Sequence, residues 1–439
     1  MKGNIMSQTK IKVVDSIMGS GKSSWAINFM KENTKERFMY ITPFLDEVER
    51  VKKELPSFSD PKKVGGSKLL HLKELVKYGR NIASTHQLMD RFDLEVQEGV
   101  AIGEYILILD EVADVVSSYN VLTEADKQDL LNNYVKVDAD GYLVWDESIP
   151  YHSREEYKYP SKFYDEMILC FNRNLVMVEG EIMYWELPTS LFSKFKEVYI
   201  LTYIFEGSSQ KAYFDLFDIA YDYLSVDNGK LIPYTPTSYE TRQEIKSLIK
   251  LVTKDKLNDV GKDYNAFSST WLGNNIKKGT VTQKRVKLDT ENFFKNIAQT
   301  KAEFNMWTTL KGDDESNKKE RVKKDKIKTL LKGIGYGKDA IHFVPFNIRA
   351  TNKYQHKRAL AYLINVYPHQ TLTMYFNLKK TDKDIKLNLD AYALSHLIQW
   401  IWRSSIRRQD LPKEDREIHL YLPSRRMREI LLNWLDKKD

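Results

Sequence analysis

The sequence predicts an α/β protein of two domains, each a parallel sheet flanked by helices, with a small β-hairpin-containing insertion in the first. Three observations carry this reading. Apolar, β-rich runs at 11–15, 38–42, 81–84, 105–109 and 197–202 are the first-domain strands. Helical stretches separate the early ones, the pattern of a sheet buried on both faces. A second set of such runs begins near residue 264, and 439 residues exceed what one core usually serves.

The elements follow in order. Residues 1–224 form the first domain. Its alternation breaks at about 119–190, which reads as an insertion able to serve as a wedge or partner surface. Within it, 134–145 is a hairpin with an Asp/Gly turn. A second hairpin pairs 175–178 with 181–185 through Glu179-Gly180. Residues 225–263 are polar, contain Pro233 and Pro236, and read as a connector. Residues 264–439 form the second domain, where 265–269 would end the first strand. Further strands are expected at 303–308, 340–345, 372–376 and 417–422. The lysine-rich stretch 311–332 reads as a solvated loop and helix.

Composition bounds the function classes. Net charge is +7, compatible with a polyanionic partner. Cys170 is the single cysteine, so no disulfide can form within the chain, and a reducing, cytoplasmic location is expected. The eight histidines show no zinc spacing. No run approaches the ~20 apolar residues of a membrane span, so no membrane partner is expected.

Three motifs carry chemistry. The first is the strand-turn-helix sequence ending in Asp15-Ser16-Ile17-Met18-Gly19-Ser20-Gly21-Lys22-Ser23-Ser24. Gly19 and Gly21 let the backbone approach a polyphosphate, and the following helix adds its positive end. Met18, Gly19, Ser20, Gly21, Lys22, Ser23 and Ser24 are the candidate nucleotide contacts. Lys22 would reach the β- and γ-phosphates, and Ser23 would hold Mg²⁺. The second motif is an apolar strand that delivers Asp110 and Glu111 at its end. Asp110 would hold Mg²⁺, and Glu111 would take a proton from the attacking water. The third is Gln399 to Arg408. On a helix, Gln399, Arg403 and Arg407 share one face and would suit a γ-phosphate sensor and an arginine finger. ATP and Mg²⁺ are the cofactors these motifs call for.

With these motifs the chain resembles the superfamily 2 helicases, built of two RecA-like P-loop domains, and is closest to phage-type replication DNA helicases. Residues 16–24 look like motif I and Asp110-Glu111-Val112-Ala113 like motif II. Tyr40 to Phe44 looks like motif Ia and Ser84 to Leu88 like motif Ib. Leu201 to Phe205 stands where motif III would couple hydrolysis to domain movement. Phe267-Ser268-Ser269 resembles motif IV, Arg349-Ala350-Thr351-Asn352 motif V, and Gln399 to Arg407 motif VI. Motif II is not Asp-Glu-Ala-Asp, only Thr202 maps cleanly in motif III, and Trp402 replaces the usual glycine of motif VI. The resemblance implies an ATP-dependent helicase or translocase acting on DNA in replication or recombination. It also implies a single-stranded track, replication proteins as partners, and a monomer as the working unit. For a phage-encoded protein the location would be the bacterial host cytoplasm. Thr42, Pro43, Thr85, His86, Arg349, Thr351 and Asn352 are the candidate nucleic-acid contacts. Helix N-capping is an equal alternative for Thr42 and Thr85, and a structural role is the stronger alternative for His86. Two rival functions remain open: a terminase-like packaging ATPase, and a non-unwinding nucleic-acid-binding protein that uses ATP as a switch.

Overall fold

The computed structural model describes residues 10–150, 162–310, 327–337, 342–347, 353–379 and 383–438. Seventeen strands lie among these residues: β1 (Ile11–Asp15), β2 (Arg37–Thr42), β3 (Phe58–Ser59), β4 (Asn81–Thr85), β5 (Tyr105–Asp110), β6 (Val116–Ser118), β7 (Val135–Val137), β8 (Leu143–Trp145), β9 (Leu175–Val178), β10 (Ile182–Glu186), β11 (Glu197–Thr202), β12 (Asp222–Asp227), β13 (Lys230–Pro233), β14 (Ile249–Leu251), β15 (Asn305–Thr308), β16 (Ala359–Tyr362) and β17 (Ile418–Tyr421). The chain groups into two units. The first holds residues up to Ser16, Ser20–Tyr234 and His369–Leu387; the second holds Ile17–Gly19, Thr235–Pro368 and Asn388–Asp439.

The first unit is built on an eight-stranded sheet of order β13-β12-β1-β11-β5-β2-β4-β3. It is parallel except for the β12–β13 hairpin at one edge. Its central strands bury both faces by simple alternation. Met39, Ile41, Leu107, Leu109, Val198 and Ile200 join one core, and Phe38, Tyr40, Ile106, Ile108, Tyr199 and Leu201 the other. That is why these strands read as continuous apolar runs. Helix Lys22–Glu32 covers the second face with Trp25, Ala26, Ile27 and Met30. Helix Ser209–Leu216 covers the first with Ala212, Tyr213, Phe214 and Leu216. The register places Asp15 beside Thr202, Leu201 beside Asp110, and Thr42 beside Thr85. The C-terminal strand ends thus form one edge.

The insertion adds the two expected hairpins, β7-β8 and β9-β10, and β10 also pairs with β6, which precedes the expected insertion, to make a sheet β6-β10-β9. It has a core of its own around Leu130, Trp145, Met167, Cys170 and Met183. Helix Gln370–Leu378 also packs in the first unit, burying Tyr375 and Phe376 in its core. This corrects the strand expected at 372–376 and the assignment of all of 264–439 to the second domain.

The second unit is a parallel sheet of order β14-β17-β16-β15. Residues 225–263 are not a connector: 225–233 complete β12 and build β13 of the first sheet, and helix Tyr239–Leu248 leads into β14 of the second. No strand ends at 265–269; Ser268 instead caps helix Ser269–Asn275 by accepting from the Trp271 N–H at 3.3 Å. Of the described part of 340–345, only Phe343 pairs, in a single parallel bridge to Trp307. Most of the lysine-rich stretch 311–332 lies outside the described residues. Among the described residues no helix is long and apolar enough to cross a membrane.

Candidate functional site at the sheet edge of the first unit

The turn after β1 is shaped by its glycines. Gly19 and Gly21 have φ of 86° and 91°, where a side chain would be strained. Gly21 is also the N-cap of helix Lys22–Glu32, which has no side-chain cap and no acidic residue in its first turn. Its leading N–H groups are therefore not taken by a capping side chain, and its positive end favours an anion. Lys22 starts this helix and folds back to donate to the Ser16 carbonyl. Burial lowers the pKa of its ammonium, while Glu111, Asp15 and Asp110 favour the charge.

Two strands away, β5 ends at Asp110. Ser23 Oγ stands 3.5 Å from Asp110 Oδ1. Burial, then the neighbouring Glu111 and Glu47, push the Asp110 carboxyl up to about 7; the Tyr40 hydroxyl and Lys22 work the other way. Glu111 follows in the left-handed region with φ of 73°, and its N–H donates to the Leu201 carbonyl at 2.9 Å. That backbone turns the side chain out of the strand alternation.

Orphaned polar atoms gather here. Ser20 Oγ, Thr42 Oγ1, Asp90 Oδ1 and Glu111 Oε2 are buried with no hydrogen-bond partner among the described residues. Each such group costs about 1–3 kcal/mol if left unmatched. Ser20 lies in the glycine turn, and Thr42 and Glu111 at strand ends of this edge, so a polar ligand or water has unmet bonds to fill there; Asp90 is the C-cap of helix His86–Met89. The donor set is hard oxygen, suited to Mg²⁺. Cis ligands on an octahedral ion with 2.0–2.1 Å bonds lie about 2.9 Å apart. The 3.5 Å between Ser23 and Asp110 is within a small adjustment of that, or of one bridging water.

Asp15 was not singled out by the sequence, although a charged residue closing an apolar strand before a glycine turn is a usable signal. Its carboxylate accepts the N–H groups of Ile204 at 2.9 Å and Phe205 at 3.0 Å. Ile204 is held at φ 58°, a conformation that costs a β-branched residue about 1–3 kcal/mol. Burial raises the Asp15 pKa against those two bonds and Lys22.

The other predicted residues are distributed as follows. Thr42 and Thr85 end adjacent strands at this edge, and neither caps a helix with its side chain: Phe44 is the N-cap after β2, and Thr85 makes no capping bond. Pro43 lies in the turn after β2, and His86 opens the short helix His86–Met89. Met18, Ser20 and Ser24 belong to the glycine turn and the first turn of its helix. Arg349, Thr351 and Asn352 lie outside the described residues.

In the second unit, Gln399, Arg403 and Arg407 do not share a helix face. Helix Leu389–Ile401 stops before Arg403, which lies in a turn, and Arg407 closes a separate short 3₁₀ helix, Ser405–Arg407. The serines end the helix: Ser404 Oγ bonds back to the Ile401 carbonyl at 2.6 Å, and the Ser405 N–H donates to the Lys357 carbonyl at 2.9 Å. Gln399 Nε2 reaches Ser395 Oγ at 3.4 Å. Trp400 is core, donating to the Val344 carbonyl at 3.0 Å. Arg426 is buried, bonded to Asp390, Asn365 and two carbonyls.

The fold is thus a mixed α/β architecture with a large, mainly parallel sheet, and a charged, orphan-rich edge on its first unit. Residues 243–435 match the family described as the YonV C-terminal Rossmann-like domain. The whole chain is similar to the SPbeta prophage-derived uncharacterized protein YonV of Bacillus subtilis (strain 168), with 35% identity over 444 residues covering 98% of this chain and 99% of that one. The chain belongs to the YonV family.

Proposed function

We propose that the protein is an ATP- and Mg²⁺-dependent motor on nucleic acid, a helicase or translocase of two RecA-like domains, acting on DNA. The observation that carries this is the meeting of Lys22, Ser23, Asp110 and Glu111 at one edge of one sheet, from segments some ninety residues apart in the chain. Backbone N–H groups of the glycine turn and the Lys22 ammonium would bind the phosphates. Ser23 and Asp110 would hold Mg²⁺, which when bound neutralises charge on the phosphoryl oxygens. Glu111, with its buried and unpartnered Oε2, would orient water and accept its proton. Thr42, Thr85 and His86 at the same edge, and Arg349, Thr351 and Asn352 beyond the described residues, remain the proposed contacts to a single strand. Arg403 or Arg407 would supply the finger, now from a turn and a short 3₁₀ helix rather than one face. The relative's description as prophage-derived supports a phage protein working in the host cytoplasm.

The test is ATP hydrolysis by the wild type and Glu111→Gln, alone and with single-stranded DNA, duplex DNA or RNA. Stimulation by one nucleic acid that is lost in the variant supports the motor and identifies its track. Hydrolysis indifferent to every nucleic acid would overturn the helicase reading and leave a partner-activated ATPase or switch.

A further inference from the structure

One fully buried side chain of the first unit has no part in the scheme above. Gln210 lies on helix Ser209–Leu216, and its Oε1 accepts the Ala113 N–H at 3.0 Å. Its Nε2 is buried with no partner among the described residues. Ala113 is two residues beyond Glu111, so this bond fixes the backbone that carries Glu111 out of β5. The Glu111 N–H is fixed in turn to the Leu201 carbonyl at the end of β11.

The same segment is fastened at its other end. Asp15, at the end of β1, grips the N–H groups of Ile204 and Phe205, holding Ile204 in the left-handed region. Ser208 Oγ then caps helix Ser209–Leu216 by accepting from the Lys211 N–H at 3.0 Å, which sets the register that aims Gln210 at Ala113. Residues 203–210 therefore form a bracket from the end of the glycine-turn strand to the carboxylate loop.

We propose that Gln210 is a positioning residue: through Ala113 it sets where the Glu111 carboxylate stands, and through the bracket it ties that position to the strand end at Asp15. The catalytic half of this inference rests on the nucleotide-hydrolysis reading; the positioning half does not. A buried donor–acceptor bond of this kind, lost from a loop that must hold a base in line, is worth about tenfold in rate.

The experiment uses the full chain as wild type, Gln210→Met and Gln210→Glu. Met keeps the length and removes both polar atoms. Glu keeps an oxygen facing Ala113. Two readouts are taken: amide hydrogen exchange of the peptide spanning Val112–Asp114, and steady-state ATP hydrolysis. Gln210→Met should speed exchange in that peptide by about tenfold and lower kcat by a similar factor, with KM for ATP within about twofold. Gln210→Glu should retain slow exchange. Unchanged exchange in Gln210→Met overturns the proposal, as does faster exchange with kcat intact. Should the wild type hydrolyse no nucleotide, the function proposed above fails, and the exchange readout still decides whether Gln210 holds the loop. If Gln210→Met does not fold, exchange in Gln210→Glu decides: Val112–Asp114 as slow as wild type supports the bond, and a rate at the level of an open loop overturns it.

Discussion

Replacing Glu186 by Gln should release helix Gln370–Leu378 from the first unit. Glu186 is fully buried at the end of β10. One oxygen accepts the Tyr142 hydroxyl and the other the Tyr375 hydroxyl, and Lys379 Nζ lies 3.8 Å away. Lys379 also lies 4.8 Å from the centre of the Tyr142 ring, and burial lowers its pKa against the pull of Glu186. Glutamine keeps the shape and one acceptor oxygen. It turns one charge-assisted bond into a neutral one and sets its amide NH₂, a donor, against the other tyrosine hydroxyl, a loss of about 1 kcal/mol each, and leaves a buried ammonium without its nearest counter-charge. The sum is about 2–4 kcal/mol. That corresponds to a rise of about 30- to 1000-fold in amide exchange of the helix, if it opens locally. Exchange is the right assay because a chain of two units need not unfold in one step. Lys379→Met alone should cost about 1–2 kcal/mol, and nearly nothing in the Glu186→Gln background, because the two groups share one interaction. If the helix of the Glu186→Gln protein exchanges within about threefold of wild type, the reasoning is refuted, and burial of Tyr375 and Phe376 alone holds the helix.

Three further outcomes are expected. Burial, with Asp114 adding repulsion, pushes the Asp90 carboxyl up to about 7; its contribution is complete below about pH 4 and is lost as pH rises through 7, so Asp90→Asn should gain on the order of 1–2 kcal/mol over wild type at about pH 8 and nothing at about pH 4 in denaturant titrations. An equal gain at both pH values would contradict this. Ser23→Ala should weaken Mg²⁺-dependent nucleotide binding at least several-fold while leaving binding in EDTA unchanged, as read by calorimetry; equal losses in both would remove Ser23 from the cation. Arg426→Met should cost about 1–3 kcal/mol in the second unit, since it leaves the buried Asn365 side chain and the Val366 carbonyl without their donor while the exposed Asp390 stays solvated; a near-wild-type melting temperature would show that the pocket repacks.

The strands around the site were legible because they are buried on both faces and end abruptly in polar residues. β1 and β11 fall on the expected residues, and β2 and β5 differ by one at an end. The two hairpins of the insertion were legible from their Gly turns. What failed did so for physical reasons. Leu372 to Phe376 has strand-like composition, yet His369 caps a helix there and the core takes Tyr375 and Phe376; tertiary burial overrides propensity. Ala359–Tyr362 was missed because it is short and alanine-rich, and it pairs as an interior strand between β15 and β17. The face shared by Gln399, Arg403 and Arg407 assumed a helix that two serines end. Asp15 and Ile204 meet across 189 residues, and Gln210 and Ala113 across 97; no local pattern announces such contacts.

The path of the chain has a consequence for inheritance. Residues 243–435, which match one family description, contain the helix Gln370–Leu378 that completes the other unit. Recombination between related genes of this family that joined the front of one to the back of another near residue 234 would not exchange intact modules. It would place a foreign Tyr375 and Lys379 against a resident Glu186 and Tyr142. A hybrid with a mismatched quartet would hold that helix less tightly, so crossovers that preserve the quartet are the ones that keep the first unit closed.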